Sequence, residues 1–365
     1  METEKLSGTR ILIPSGAGAP GFGGIVRCLR EIPQVFIVAG DARSNVYGAS
    51  LSDSFVLMPP SDLVVEYVDA VIRVCLENSI QVILPITTRE LFALSEHKRR
   101  IEDLTGALVI VSEIEGLGIA NNKGSLYEFA WMHGFRVPAF AVVDGRESFR
   151  KEAEKLGISH RDLCFKPILG NGSRGFGRIL SECGSNEDWM KEKSGIMPLR
   201  LEEWSTRIPA VLGDEEALLL SVYLSGTEYS VDLLCDRGTV RYCIPRSRDK
   251  MVGGISVAGT FLPIEGLISE CCRLAELLNL DGPIGMQWRE DSWGEMYLLE
   301  INPRLQGTTS ALELGGLNVP VLAVSQVLND AIMASIEEIG VNKGLHFAWG
   351  SSFVRYWDES MLFER

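Results

Sequence analysis

The sequence of 365 residues predicts two kinds of architecture in one chain, an α/β region followed by an α+β region. Up to about residue 111, short β-rich runs alternate with helical stretches, which is the pattern of a parallel sheet covered by helices. From Leu163 onward, β-rich runs are joined by glycine-rich turns, which is typical of an antiparallel sheet. The length also favours two or three packed domains over one.

The first region, residues 1–111, is predicted to be Rossmann-like. Its β-rich runs include RILIP, QVFIVAG, QVILPI and ALVIVS, and helical stretches such as YVDAVIRVCLENS separate them. Near residue 112 the pattern changes, and NNKGSLYEFAWMHG follows as a predicted helix. Asn121 or Asn122 is its expected N-cap, and Gly134 its expected end.

Composition excludes several classes of function. The formal net charge of −14 would repel nucleic acids and anionic membranes, so we expect neither as a partner. The eight cysteines include no C-x-x-C pair, which favours reduced, mostly buried thiols. The first ten residues have no apolar signal core, and no apolar run is long enough to span a membrane. These features predict a cytoplasmic protein.

A first glycine pattern lies between a predicted strand and a predicted helix. Gly16, Gly18 and Gly21 have the G-x-G-x-x-G spacing, and Asp41 ends the next strand. This arrangement is typical of a nicotinamide or flavin dinucleotide site. Against it, Pro20 removes an amide donor within the turn. Two alternatives remain open: a tight structural turn, or one border of a small-substrate pocket that includes Gly18.

A second copy of the spacing has different surroundings. Its residues lie between the β-rich runs LCFKPI and RILS, which predicts a hairpin that covers phosphates. Its expected phosphate contacts are Gly172, Ser173, Arg174 and Gly175, with Lys166 on the preceding strand. The HRDL segment at 160–163 suggests a protein kinase, but its order relative to the glycine loop is wrong and no D-F-G follows.

The segment EMYLLEINPRLQG carries a candidate metal site. On a strand, Glu300 and Asn302 project to the same face, and their oxygens are ligands that Mg²⁺ prefers. Gln287 is expected on an adjacent strand and adds a carbonyl oxygen. Arg304, on the following turn, is positioned to hold a transferring phosphate.

Three further segments offer weaker candidates. PRSRDKMVGGISVAGTF is either a charged surface hairpin or a clamp for a substrate carboxylate or phosphate, with Arg246 as the leading catalytic candidate. Glu90, on the predicted rim of the first sheet, is a candidate anchor for an amine. Asn318 is a candidate for the border of the same cleft.

Together these segments resemble the ATP-grasp superfamily, particularly its carbamoyl-phosphate-synthase-like branch. The matching pieces are NNKGS with Lys123, CFKPILGNGSRGFG with Lys166, VYLSGTEYSVDLL with Glu228, and IGMQWRE followed by YLLEINPR. The resemblance covers residues 112–320. It implies a small subdomain at 112–195 that carries the glycine-rich lid, and a large subdomain at 196–365 that carries the metal site.

The resemblance also implies roles for individual residues. ATP would lie between the two subdomains, with its adenine on the backbone of Ser221, Val222, Tyr223 and Leu224. Lys123 and Lys166 would contact the nucleotide and its phosphates, and Glu228 the ribose. One or two Mg²⁺ or Mn²⁺ ions would be bound by Gln287, Glu300 and Asn302. Val222 stands where many relatives have glutamate, and Gln287 replaces a more common acidic ligand.

The activity implied is that of an ATP- and Mg²⁺-dependent carboxylate–amine ligase, which forms an amide or peptide bond through an acyl phosphate. Its partners would be a small carboxylate and a small amine, amino acids among them, and a homodimer is an analogy with relatives. One alternative is a carbamoyl-phosphate-synthase-like or carboxylase-like enzyme that phosphorylates bicarbonate or carbamate. Others are an NAD(P)-binding oxidoreductase and a sensor that binds ATP without turnover.

Overall fold

The computed structural model describes residues 2–170, 175–181, 198–211, 217–328 and 341–356. This part of the chain contains four β-sheets with helices packed around them. The predicted contacts Gly172, Ser173 and Arg174 of the second glycine pattern lie outside the described residues.

The first sheet is parallel. Its strands are β1 (Arg10–Ile13), β2 (Phe36–Asp41), β3 (Ser54–Leu57), β4 (Val82–Ile83) and β5 (Leu108–Val109), in the order β3-β2-β1-β4-β5. The accompanying helices are α1 (Glu2–Lys5), α2 (Phe22–Leu29), α3 (Gly48–Leu51), α4 (Val64–Asn78), α5 (Thr88–Glu96) and α6 (Lys98–Thr105). The predicted α/β region with a parallel sheet is therefore confirmed.

Two helices lead out of this region, α7 (Ile114–Asn121) and α8 (Lys123–Met132). Asn122 caps α8, because its side-chain oxygen accepts hydrogen bonds from the backbone N–H groups of Gly124 and Ser125. Of the two caps predicted, the structure selects Asn122. The cap places Lys123 at the first residue of the helix, where its side chain is buried.

The second sheet mixes antiparallel and parallel pairs. Its strands are β6 (Phe140–Val143), β7 (Leu163–Pro167), β8 (Gly177–Leu180), β9 (Leu199–Arg200) and β10 (Leu218–Val222), in the order β6-β10-β7-β8-β9. Only the β8–β9 pair is parallel among these described pairings. Helices α9 (Arg146–Lys155) and α10 (Leu201–Val211) accompany it. Strand β7 carries Lys166, and β10 ends at the predicted adenine hinge.

The third sheet is fully antiparallel. Its strands are β11 (Glu228–Asp236), β12 (Thr239–Ser247), β15 (Gly282–Glu290) and β16 (Met296–Asn302), in the order β12-β11-β15-β16. Helix α11 (Glu265–Leu277) packs against it within one hydrophobic core. The antiparallel sheet predicted for the second half of the chain is confirmed.

The remaining elements connect the two halves. A small sheet consists of β13 (Lys250–Val252), β14 (Ile255–Thr260) and β17 (Ser352–Val354), and a 3₁₀ helix (Thr309–Gly315) precedes α12 (Val319–Leu328). One hydrophobic core joins the first sheet to residues such as Leu305, Leu312 and Phe353. Among the described residues no single helix is long and apolar enough to cross a membrane; the 3₁₀ helix and α12, bent by 98°, pass that test only as a pair.

Candidate active site

One face of the β12-β11-β15-β16 sheet is polar. Directly paired residues of neighbouring strands point to the same face, and residues two apart along one strand share it. One row across the four strands consists of Arg246, Ser230, Gln287 and Glu300. The same periodicity adds Glu228, Asp232 and Asn302. The three predicted metal ligands therefore lie on one face.

The opposite face of this sheet is apolar. Tyr229, Val231, Met286, Trp288 and Ile301 alternate with the polar residues and belong to one buried core. Because this core fixes the register of the sheet, it also fixes which side chains project from the polar face.

Glu300 lies at the centre of the charged groups. Its Oε2 is 3.8 Å from Lys123 Nζ, and its Oε1 accepts a hydrogen bond of 3.0 Å from Asn302 Nδ2. Burial alone would raise the pKa of Glu300, but the charges of Lys123, Lys166 and Arg248 and the bond from Asn302 lower it below the ordinary value. Glu300 is therefore held ionised.

The two predicted phosphate lysines reach this carboxylate from different elements. Lys123 Nζ donates to the carbonyl of Gly170 at 2.6 Å, and burial lowers its pKa although Glu300 raises it. Lys166 Nζ donates to the carbonyl of Leu299 at 3.0 Å and lies 5.4 Å from the centre of the Tyr127 ring. The second sheet thus places its lysine beside the residue that precedes Glu300.

Arg304 joins the site to the first sheet. Its Nη2 donates to Asn302 Oδ1 at 3.2 Å, and its Nε donates to Thr88 Oγ1 at 3.0 Å. Burial lowers the pKa of Arg304, whereas the charges of Glu300 and Glu90 raise it. Thr88 begins α5, so the rim of the first sheet does border the site, through a residue that the sequence did not single out.

The predicted adenine hinge lies where β10 ends. The backbone N–H groups of Val222 and Tyr223 donate to the carbonyls of Ala139 and Asp162. The hydrogen bonds of the described residues leave the N–H of the buried Leu224 unused. Arg178 of β8 and Arg289 of β15 lie 4.2 and 4.9 Å from the centre of the Tyr223 ring. The hinge is thus contacted by side chains from both sheets, and the Leu224 N–H is its available hydrogen-bond donor.

Glu228 has two arginine partners. Arg248 Nε lies 3.1 Å from Oε1, and Arg289 Nη1 lies 3.9 Å from Oε2. Arg248 is buried, and its guanidinium also donates to Ser230 Oγ and the carbonyl of Gly254. Its position between Glu228 and Glu300 makes it a site residue that the sequence analysis noted only as part of a charged segment. An argument from strand periodicity identifies Arg248, because residues 246 and 248 are two apart and project to the same face of a strand.

Arg246 is not on a surface hairpin. It is fully buried, and its Nε donates to Asp232 Oδ2 at 2.8 Å. Asp232 also accepts hydrogen bonds from Gln306 and Thr309, in the turn that follows Arg304. The structure therefore overturns the alternative of a solvated charged surface for this residue, while Lys250 of the same segment is exposed.

Glu90 has a structural role instead of the predicted amine contact. Its side chain is fully buried; Oε1 accepts from the N–H groups of Ile86 and Thr87, and Oε2 accepts from the hydroxyl of Tyr67. Burial raises the pKa of Glu90. The carboxylate closes a capping box at the start of α5, and the T-x-x-E spacing of Thr87 and Glu90 is the signal for it.

Asn318 also lies away from the site. Its Nδ2 donates to the carbonyl of Cys28 at 3.0 Å and to Glu31 at 2.9 Å, and its Oδ1 accepts from the N–H of Val321. It therefore caps α12 and ties that helix to the end of α2, and its hydrogen bonds include none to the residues around Glu300. An asparagine directly before Val-Pro is a helix-start signal.

The first glycine loop uses its polar groups internally. Gly18 N–H donates to Asp41 Oδ2 at 3.0 Å, and Asp41 Oδ1 accepts from the N–H of Arg43. Neither the Gly18 amide predicted for a substrate nor the Asp41 carboxylate expected at a ribose is available. A Cβ at Gly21 would lie 2.8 Å from the Cα of Gly307, and a Cβ at Gly24 would overlap Ser310. The glycines let α2 approach the turn that follows Arg304.

Of the second glycine pattern, Gly170 and Gly175 are described. Both have positive φ, at 120° and 72°, which favours glycine. A Cβ at Gly175 would lie 2.7 Å from Pro167 Cγ, so the residue packs closely against the end of β7. The two glycines thus flank residues 171–174 in the segment predicted to cover phosphates, which runs from Gly170 to Gly177.

The donor chemistry of the polar face fits a magnesium ion. Within the described ranges no cluster of three or more His, Cys, Asp and Glu side chains is placed for a metal. The face instead combines the ionised carboxylate of Glu300 with the amide groups of Asn302 and Gln287. Magnesium in nucleotide sites is commonly bound through one or two carboxylates together with phosphate oxygens and water. The ionised carboxylate of Glu300 meets that requirement, and the paired position of Gln287 on the neighbouring strand adds a candidate amide ligand.

Comparisons with known proteins find one similar family and several similar solved structures. The family described as ATP-grasp in the biosynthetic pathway with Ter operon matches residues 214–351. No curated protein sequence matches the chain. Similar solved structures include the L-amino acid ligase from Bacillus licheniformis, with 14% identity, a TM-score of 0.62 and coverage of 88% of this chain and 74% of that one.

Two further structures contain nucleotide ligands. N5-carboxyaminoimidazole synthetase from Staphylococcus aureus, complexed with ADP, has 15% identity, a TM-score of 0.60 and coverage of 87% and 77%. The biotin carboxylase β,γ-ATP complex from Campylobacter jejuni has 15% identity, a TM-score of 0.61 and coverage of 87% and 70%. At this identity the likeness shows the fold.

Proposed function

The chain has the ATP-grasp fold that its sequence resembles, and on this premise we propose that it is an ATP-dependent ligase that activates a carboxylate as an acyl phosphate and joins it to an amine. The observation that carries the proposal is the convergence of Lys123, Lys166 and Arg304 on the ionised Glu300. Three cations from three different elements around one carboxylate suit the binding of a nucleoside triphosphate together with a divalent cation.

Nucleotide binding would use both sheets. The unused N–H of Leu224 would donate to an adenine ring, and Glu228, held by Arg248 and Arg289, would contact a ribose hydroxyl. Lys123 and Lys166 would then contact the phosphates. Glu300, Asn302 and Gln287 would hold Mg²⁺, which supplies charge neutralisation for the phosphates when bound.

Phosphoryl transfer needs positioning and positive charge more than covalent chemistry. The substrate carboxylate attacks the γ-phosphorus, and the bond to the leaving ADP breaks. Arg304, held between Asn302 and Thr88, would stabilise the charge on the transferring group. The amine nitrogen then attacks the acyl carbon, and inorganic phosphate leaves.

No thiol needs to take part. Cys164 lies on the same face of β7 as Lys166, 3.5 Å from Ser221 Oγ, and burial raises its pKa. A protonated thiol is a poor nucleophile. The carboxylate of the substrate is therefore the nucleophile in the proposed reaction.

The test uses hydroxylamine in place of the unknown amine, because it traps acyl phosphates as hydroxamates. A panel of carboxylic acids with ATP and Mg²⁺ should give ADP and hydroxamate in equal amounts for at least one acid. Glu300→Gln should lower kcat at least 100-fold. Glu295→Gln, on the exposed turn before β16, is the matched control and should change kcat less than twofold.

Two results would contradict the proposal. Unchanged turnover in Glu300→Gln would refute the assignment of the site. ADP release that depends on bicarbonate and yields no hydroxamate with any acid would support the bicarbonate-phosphorylating alternative, which the likeness to a biotin carboxylase keeps open.

A further inference from the structure

Arg246 is a buried cation on the active-site face that the proposed reaction leaves without a role. It stands in the row that contains Ser230, Gln287 and Glu300, and its side chain is 1% exposed. Its strand, β12, lies three strand spacings from β16, which corresponds to about 14 Å along the sheet. It is therefore on the same face as Glu300 but at the far edge.

One edge of the Arg246 guanidinium is fixed. Its Nε donates to Asp232, and Asp232 is held in turn by Gln306 and Thr309. The ring of Phe353 lies 5.9 Å from the guanidinium carbon. These contacts orient the side chain through its Nε and its guanidinium carbon.

The terminal Nη1 of Arg246 is fully buried and has no hydrogen-bond partner among the described residues. A buried charged donor without an acceptor is unfavourable, so native proteins rarely retain one without a ligand. Arg248, two residues on, differs in this respect, because its guanidinium nitrogens contact Glu228, Ser230 and Gly254. An anionic group beside Nη1 would satisfy the Arg246 donor.

Other arginines add positive charge at this edge. Arg355 donates to the carbonyls of Gly307 and Pro20, which tie the turn after Arg304 to the first glycine loop. Burial lowers the pKa of Arg355, and the nearby charge of Arg246 lowers it further, although Tyr47 raises it. Burial and the charge of Arg246 likewise lower the pKa of Arg248. Several cations therefore face one region.

We propose that Arg246 binds a second anionic group of the acid substrate, separate from the carboxylate that accepts the phosphoryl group. The proposal rests on the proposed function, since it assumes that the reacting carboxylate lies beside Arg304 and Glu300. Because β12 and β16 are the two edges of the sheet, one carboxylate does not serve both positions. The substrate class is thus a dicarboxylic acid or a carboxylic acid that carries a phosphoryl group.

The test measures binding rather than turnover. Isothermal titration at saturating MgADP compares the straight-chain dicarboxylates from succinate to sebacate, which cover short and long separations of the two carboxylates, with the monocarboxylates of the same carbon number. A parallel arm uses 4-phosphonobutanoate. Wild-type protein should bind at least one dianion tenfold or more tightly than its monoanionic match, and whether a dicarboxylate or the phosphonate binds best distinguishes the two substrate classes.

Arg246→Gln should abolish this preference. The matched control is Arg241→Gln, because Arg241 lies on the same strand, is buried, pairs with Asp236 at 3.0 Å and also has an unpartnered nitrogen, yet is far from Glu300. The control should keep the wild-type preference. If Arg246→Gln does not fold, Arg246→Lys, which keeps the charge and loses the planar fork, should reduce the preference at least threefold.

Equal or absent binding of every dianion and monoanion by the wild type would overturn the proposal, as would a preference that survives in the folded Arg246 variant. Failure of the proposed function has a different signature. It would appear as no MgADP binding in a separate titration with MgADP alone and no hydroxamate, whatever the result with the dianions.

Discussion

The close contact between Gly21 of the first glycine loop and Gly307, in the turn after Arg304, predicts that substitution of Gly21 by alanine is destabilising. Its φ and ψ are −89° and −15°, which any residue adopts, so alanine there meets no backbone strain. The added Cβ would lie 2.8 Å from Gly307 Cα, whereas unstrained carbon atoms lie about 3.5–4.0 Å apart. Backbone must therefore move by roughly 0.7 Å or more.

The expected cost of Gly21→Ala is about 1–3 kcal/mol in the free energy of unfolding, the usual range for overpacking. Gly23→Ala is the matched control in the same helix. Its Cβ would lie 3.4 Å from Leu51 Cδ1, an ordinary contact, and alanine favours the helix by up to about 1 kcal/mol. The two variants should therefore differ by about 2 kcal/mol or more.

The activities of the two variants should follow the same order as their stabilities, with Gly21→Ala below Gly23→Ala. Gly307 is three residues after Arg304, so a shift of its backbone displaces the guanidinium, and a displacement of about 1 Å can lower a rate about 100-fold. We expect Gly21→Ala to lower kcat in the hydroxamate assay at least fivefold and Gly23→Ala to leave it unchanged. Urea denaturation followed by tryptophan fluorescence measures the stabilities. Equal stability and equal kcat in the two variants would refute the close-approach argument.

Three further substitutions test single residues. Lys123→Met removes the strongest charge that lowers the pKa of Glu300. A carboxyl group whose folded pKa is lowered stabilises the fold above its unfolded value of 4.5 and loses this stabilisation as pH falls through the folded pKa. Because the substitution raises the folded pKa of Glu300, the free energy of unfolding should fall less steeply below pH 4.5 in Lys123→Met than in the wild type, as measured by urea midpoints from pH 3 to 7. Glu90→Ala leaves the backbone N–H groups of Ile86 and Thr87 without their acceptor and removes one of two partners of the Tyr67 hydroxyl, so it should lower the free energy of unfolding by about 1–3 kcal/mol, with an unchanged KM for hydroxylamine. Asn318→Ala removes a helix cap and should lower the free energy of unfolding by about 1 kcal/mol, with an unchanged KM for ATP. A changed KM in Glu90→Ala or in Asn318→Ala would show that the substituted residue belongs to the site.

The sequence predicts the parts of the site that lie within one motif. Glu300 and Asn302 are two residues apart on a strand, so their shared face follows from strand periodicity alone, and the structure places Lys123 and Lys166 beside them. Arg248 and Thr88 escape prediction because their contacts depend on which strands and domains meet. That information is not local in the chain.

Two of the candidate residues have capping contacts that their sequence context also predicts. Glu90 and Asn318 are polar residues next to loops, and each belongs to a helix-capping pattern. The same applies to the first glycine pattern, whose spacing matches a nucleotide loop while its atoms serve packing against Gly307 and Ser310. A polar residue at a helix start needs its capping role tested before a ligand is invoked.

The site is positively charged although the whole chain is negatively charged, and this predicts that the association rate of MgADP increases with salt concentration. The cations Lys123, Lys166, Arg246, Arg248, Arg289 and Arg304 outnumber the carboxylates Glu228, Asp232 and Glu300, whereas the chain carries −14. Raising ionic strength from about 0.01 to 0.1 M shortens the screening length from about 30 to 10 Å. This screens the repulsion that an anionic nucleotide meets at long range but preserves the attraction within the cleft. The association rate of MgADP, measured by stopped-flow fluorescence, should therefore rise with salt, and a rate that falls would show that the cleft controls the field at long range as well.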